Sequence, residues 1–287
     1  LKEICEQPDA IIASLMGRLS SNKGLFNLDD FNLNIEEIKK ISKIVLTGMG
    51  TSLHAAMLAR LWMERIAGIP AEWDNSSEFR YREPLLEKDS LFISISQSGE
   101  TADTLAAMEE ARTKNITQIT LCNYLNTQAS EIANQTLQIR AGLEVGVAAT
   151  KTFTCSLVTL YTLAIYFGVQ RNHLSHKHAA TLTEELSRLP EMIGGVLVDQ
   201  SQHEELASKY HTSSDFLFLG RGYNYPVALE GALKLKEVSY IHAEGYPAGE
   251  MKHGPISLID DNMPVVALVL KDSLYEKMLN TVNEAKS

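Results

Sequence analysis

One stretch of the sequence recurs 172 residues further on, without a gap over about 65 positions. Gly48-Met49-Gly50 aligns with Gly220-Arg221-Gly222, Ala56 with Ala228, Glu78-Phe79-Arg80 with Glu250-Met251-Lys252, and Thr101 with Ser273. The apolar run 92–96 falls on 264–268. Isolated identities arise by chance, but an ungapped register that also matches strand-like runs to one another argues for two copies of one module. The first copy continues past the helix at Thr101 for some 50 residues, whereas the second stops at Ser287 just after the equivalent helix. The sequence therefore predicts a helical lead-in over 1–40, a first module over 41–169, a helical connector over 170–210 and a truncated second module over 211–287. Within the lead-in, Pro8 opens a helix and Gly24 and Asn27 break it.

Inside the first module, short β-rich runs alternate with helical periods. Residues 44–47, 91–96 and 118–123 read as strands, and residues 52–67, 101–113 and 130–133 as the helices after them. Strand–helix alternation of this kind builds βαβ units. The expected fold class is α/β, as two tandem doubly wound parallel sheets, and ligands are expected at the strand ends.

Composition narrows the function. The chain has 287 residues, 45% hydrophobic and 22% charged, as in an ordinary globular protein. A formal charge of −10 opposes nonspecific binding to nucleic acid or to anionic membranes, so neither is expected as a partner. Three widely spaced cysteines, Cys5, Cys122 and Cys155, suggest no disulfide framework and no zinc motif, and fit a reducing cytoplasm. The longest apolar stretch, 157–169, falls short of the roughly 20 residues of a bilayer span and reads as a core helix.

Two turns carry clustered hydroxyls. Ser96-Gln97-Ser98-Gly99-Glu100-Thr101 precedes a helix, and Gly48-Met49-Gly50-Thr51-Ser52 follows the first strand. A helix N-terminus offers unpaired N–H groups and about half a positive charge, which suits a phosphate without lysines. Plain N-capping by Ser98 or Thr101, with Asp103 in the first turn, explains the first turn equally well on its own. A dinucleotide fingerprint is absent, since the third glycine of GxGxxG is missing.

In the second module the helix over 226–241 is apolar on most of its circumference, yet Glu230, Lys234 and Glu237 share one arc. Such a stripe reads either as a solvated face or as chemistry. The loop Gly249-Glu250-Met251-Lys252-His253-Gly254-Pro255 gathers an imidazole, an ammonium and a carboxylate between Gly and Pro, and His253 is a candidate proton carrier. His173, His176 and His178 lie in the polar connector, and no metal site is expected there.

At these residues the sequence resembles a pair of sugar isomerase (SIS) domains, and more closely the isomerase half of the glutamine:fructose-6-phosphate amidotransferase (glucosamine-6-phosphate synthase) family. The resemblance rests on Ser77-Glu78-Phe79-Arg80-Tyr81-Arg82, the run 96–105, Gly146-Val147-Ala148 with Thr150-Lys151, the run 228–237, and Ile241-His242-Ala243-Glu244 leading to the His253 loop. It implies flavodoxin-like modules in which Ser52, Ser96, Gln97, Ser98 and Thr101 hold a sugar phosphate while Thr51 and Val147 line the pocket. It implies further that Glu237 moves a proton between C1 and C2 of a sugar imine, that Lys234 supports it, and that His253 assists ring opening from the neighbouring subunit of a homodimer. No metal or organic cofactor is implied. The substrate would be fructose 6-phosphate, with glucosamine 6-phosphate as product and ammonia from a glutaminase domain of the full-length chain.

Where the family commonly has Cys this chain has Met49, and where it has Ser this chain has Ala149. The family's C-terminal lysine tail and N-terminal glutaminase cysteine have no counterpart between Leu1 and Ser287. Two other readings remain open at this point: a stand-alone SIS isomerase or deaminase acting on another amino-sugar phosphate, and a non-catalytic sugar-phosphate sensor.

Overall fold

The computed structural model describes residues 1–19 and 33–286. The break expected at Gly24 and Asn27 lies outside them. The chain divides into two compact units, Leu1–Leu197 and Val198–Ser287, with one copy of the repeat in each.

The first unit opens with α1 (Lys2–Cys5), α2 (Gln7–Leu15) and α3 (Ile35–Lys40). It continues through β1 (Lys43–Gly48), α4 (Thr51–Arg65), β2 (Ala71–Asn75), α5 (Ser76–Phe79), β3 (Ser90–Ile95), α6 (Ala102–Thr113), β4 (Thr117–Cys122), α7 (Gln128–Ile132), β5 (Gln135–Gln138) and α8 (Lys151–Gln170). Then come α9 (His176–Ser187) and α10 (Leu189–Leu197). The five strands run parallel in the order β2-β1-β3-β4-β5, the flavodoxin-like doubly wound arrangement. Because side chains alternate across a strand, Ile44 and Leu46 of β1 and Leu91, Ile93 and Ile95 of β3 face one core, where Ala55, Ala56, Ala59 and Met63 of α4 and Phe167 of α8 meet them. Val45 and Phe92 face the other, against Phe79 and Ala107, Met108 and Ala111 of α6. Both faces are covered, as parallel sheets require.

The apolar helix α8 is longer than its central run suggested. At 20 residues it is long and apolar enough to cross a membrane, so the length argument against a span fails. Burial decides instead: 67% of its most apolar window is buried, and residues such as Leu160, Leu163 and Phe167 are fully enclosed.

The second unit comprises α11 (Ser201–Tyr210), β6 (Asp215–Gly220), α12 (Asn224–Ser239), β7 (His242–Pro247), two 3-10 turns (Ala248–His253 and Pro255–Leu258), β8 (Val265–Ala267) and α13 (Tyr275–Lys286). Its strands are parallel in the order β7-β6-β8. Shifted by 172, β1, β2 and β3 fall on β6, β7 and β8, and α4 and α6 fall on α12 and α13. The repeat is therefore a repeat of structure, with the first three strands of the five-stranded order present in the second copy. The segment 170–210 is helical, and its helices are shared between the units, α9 and α10 in the first and α11 in the second.

Candidate functional site

The order of the first sheet reverses between β1 and β3, and in open α/β sheets the carboxyl ends of the strands at such a point are where ligands bind. The two hydroxyl turns are the two loops that leave this point. The β1 turn ends at Gly50, which has φ +52° and no side-chain cap to offer α4, so Thr51 and Ser52 sit half-buried in the first helical turn.

The β3 turn is held by its own hydroxyls and by a neighbour. Ser96 Oγ accepts the Gly99 N–H at 3.1 Å and lies 3.2 Å from Thr101 Oγ1, and Ser98 Oγ accepts the Glu100 N–H at 3.1 Å. Half-buried Gln97 accepts the Asn123 N–H through its carbonyl oxygen. Gly99 has φ +68°, and a Cβ there would lie 2.3 Å from Thr127 Oγ1, so only glycine fits. The Glu100 carboxylate accepts both the backbone N–H and the side-chain amide of Gln128, which ties the turn to the start of α7.

The capping explanation does not hold in its simple form. Thr101 occupies the N-cap position of α6 but makes no side-chain cap bond, and Ser98 closes its own turn. Among the described residues, Thr101 thus leaves the first turn of α6 without a side-chain cap, which favours an anion there. Asp103, in that first turn, is engaged by Arg80 at 2.7 Å, and this contact raises the arginine's pKa further. Two of the matched motifs thus meet through one ion pair.

Between β5 and α8 runs the loop that carries Val147, which is 86% exposed. Its far end is fixed by Glu144, a buried carboxylate that accepts the N–H groups of Thr150 (2.8 Å) and Lys151 (2.9 Å) and the hydroxyls of Thr150 and Thr152. Glu144 therefore serves α8 as an N-terminal anion. Sequence reasoning passed over it, because a glutamate several residues before a helix has no cap signature.

In the second unit, α12 presents the expected stripe, and it is not a solvated face. Glu230 is buried, and Lys234 Nζ lies 3.3 Å from Glu230 Oε1 and 2.5 Å from Glu237 Oε2. Glu237 Oε2 is itself buried, at ion-pair distance from the ammonium but out of line for a hydrogen bond. In the following 3-10 turn, Met251 is fully buried, Lys252 pairs with Glu284 of α13 at 2.6 Å, and His253 is exposed. The structure brings together Glu230, Lys234 and Glu237, and separately Ser96, Ser98 and Thr101; the two groups belong to different units. Among the described residues, no three His, Cys, Asp or Glu side chains are grouped to hold a metal ion.

The family model for the SIS domain matches residues 37–166 and 209–287, one match in each unit. The chain belongs to the SIS domain family. A glutamine–fructose-6-phosphate aminotransferase (isomerizing) of Methanosarcina mazei is 45% identical over 287 residues, covering 100% of this chain and 46% of that protein. The enzyme of that name from Symbiobacterium thermophilum is 43% identical, with 47% of it covered. This SIS chain thus spans about half the length of the curated relatives it matches. Among solved structures, the C-terminal domain of glucosamine-fructose-6-phosphate aminotransferase from Francisella tularensis superposes with a TM-score of 0.95 at 40% identity, over 99% of this chain and 79% of that one. The tagatose-6-phosphate ketose/aldose isomerase of Escherichia coli, at 21% identity and a TM-score of 0.78 over 99% of this chain and 77% of that one, shares the fold.

Proposed function

We propose that this chain is the sugar-phosphate isomerase part of a glutamine:fructose-6-phosphate aminotransferase, which forms glucosamine 6-phosphate from fructose 6-phosphate and glutamine-derived ammonia. The observation that carries the reading is the hydroxyl turn at the switch point, with uncapped α6 behind it, in a chain aligned from end to end with aminotransferases of that name. Ser52, Ser96, Gln97, Ser98 and Thr101 hold the phosphate, with Thr51 and Val147 beside the sugar. Once ammonia has condensed with the C2 carbonyl and water has left, Glu237 takes a proton from C1 and returns it to C2. Lys234, within ion-pair distance of Glu237 Oε2, stabilises the charge that builds on the enolamine. His253, exposed on its turn, moves a proton between the anomeric hydroxyl and the ring oxygen of a sugar bound by the neighbouring subunit. No cofactor is needed for these steps. A glutaminase domain elsewhere in the full-length protein supplies the ammonia, and the assembly is a cytoplasmic homodimer.

The test supplies fructose 6-phosphate with glutamine, or with ammonia, to the full-length protein and assays for amino sugar. Formation of glucosamine 6-phosphate is expected, and its absence under both conditions would overturn the reading. Mixing Glu237→Gln and His253→Ala subunits should restore part of the activity, because a hybrid dimer contains one intact site. No recovery after proven subunit exchange would refute the shared site.

A further inference from the structure

The start of the chain is fastened to the loop that carries Val147. Glu3 Oε1 accepts the Val145 N–H at 2.6 Å, and Glu3 Oε2 accepts the Gly146 N–H at 3.1 Å. Glu6 Oε2 receives the ammonium of buried Lys151 at 2.7 Å, and Gln7 Oε1 receives the Thr154 hydroxyl at 2.6 Å. These contacts span more than 140 residues of sequence and follow one another in register along the loop and into α8. Gly146 fits this fastening: a Cβ there would stand 2.6 Å from Glu3 Oε2. With Glu144 pinning the far end of the loop to α8, the backbone on either side of Val147 is held by carboxylates, while the Val147 side chain points to solvent.

An exposed valine on the twelve-residue loop 139–150 does not hold one position by its own packing. Bidentate acceptance of two successive N–H groups by one carboxylate does fix a backbone segment, because charge-assisted bonds are about twice as strong as neutral ones. We propose that Glu3, from the first helical turn of the chain, is a positioning residue that sets the Val147 loop for sugar-phosphate binding. This rests on the functional reading above, in which Val147 lines the sugar site. Glu3 does not touch the sugar and takes no part in proton transfer.

The experiment compares the full-length protein with its Glu3→Ala, Glu3→Gln and Gly146→Ala variants. It measures kcat and KM for fructose 6-phosphate, with Ser98→Ala as the reference for a direct phosphate contact. Glu3→Ala should raise KM about tenfold and leave kcat within about threefold. Glu3→Gln, whose amide oxygen still accepts one N–H but carries no charge, should recover only part of the loss. Gly146→Ala should reproduce the defect without altering Glu3, and the Glu3→Ala/Gly146→Ala double variant should be no worse than the single ones. Amide exchange at Val145 and Gly146, followed without sugar, should accelerate in Glu3→Ala. An unchanged KM in Glu3→Ala while Ser98→Ala raises it would overturn the positioning role alone, as would unchanged exchange at those amides. A parent protein that neither binds nor turns over fructose 6-phosphate would overturn the functional reading, and the positioning role with it.

Discussion

The two units share a topology and differ in what they place on it. At the positions where α12 carries Glu230, Lys234 and Glu237, α4 carries Leu58, Trp62 and Arg65. Leu58 is buried, and Trp62 packs on the sheet core and meets the ring of Tyr161 edge-on at 5.2 Å. In the first unit α8 packs against that face, which is apolar at Leu58 and Trp62; in the second the same face holds an ammonium between two carboxylates. The hydroxyl turn shows the reverse. Its counterpart over 268–273 reads Leu-Val-Leu-Lys-Asp-Ser, with no hydroxyl before Ser273. One copy carries groups suited to an anion and the other carries groups suited to moving protons. The scaffold tolerates both, because neither set belongs to the sheet cores.

The largest expected effect falls on the second copy. Glu237→Gln should bind sugar phosphate yet lose roughly 10² to 10⁴ in turnover, the range of general acid–base catalysis. Arg65→Gln, at the equivalent position of the first copy, should leave turnover unchanged. Steady-state kinetics and calorimetry check both, and full activity of Glu237→Gln would refute its role as base. Next comes the first copy: Ser98→Ala removes a hydrogen bond to a charged group, worth about 1.5 to 3 kcal/mol, and should weaken sugar-phosphate binding by roughly one to two decades. Leu270→Ala, its counterpart, should change affinity little. Unchanged affinity with a lowered melting temperature in Ser98→Ala would restore a purely structural role for that serine.

A smaller contrast concerns backbone. Gly99 takes the left-handed conformation, whereas its counterpart Lys271 does not. Gly99→Ala should cost about 1 to 3 kcal/mol of stability, from strain and from the clash with Thr127, while Lys271→Ala should stay within about 0.5 kcal/mol. Chemical denaturation of the two variants decides it.

The smallest effect is a pH dependence confined to the first unit. The hydrogen bond from Lys151 is the main cause holding the Glu6 carboxyl below its ordinary value. A carboxyl depressed by folding stabilises the protein above its unfolded pKa, about 4.3, and that contribution is lost as the pH falls through the folded value. Melting temperatures followed from pH 7 down should therefore drop less steeply in Lys151→Met than in the parent. Equal slopes would show that the pair adds nothing measurable.

Much of the fold was legible because it is local or repeated. The strand and helix periods of 44–47, 91–96 and 118–123 and their following helices appear within a residue or two, and the register of 172 carries β2 onto β7 although neither edge strand was read directly. Both escaped for a physical reason: Ala71–Asn75 and His242–Pro247 are only partly buried and show no apolar run. The helix α8 was read too short, because Lys151, Thr152 and Thr154 at its start look polar; the chain buries that lysine by pairing it with Glu6.

By itself, the sequence determined the module, its duplication, the hydroxyl turns and the charged arc of α12, since each is written in residues close together or at a constant offset. Only the tertiary structure decided whether those groups are committed elsewhere. Thr101 could have capped α6 and does not, Asp103 is engaged by Arg80, and Glu230 is buried rather than solvated. The same holds for Glu3 on the Val147 loop and for Glu144 at the head of α8. A carboxylate's partner is set by where the chain returns in space, and no periodicity along the sequence records that return.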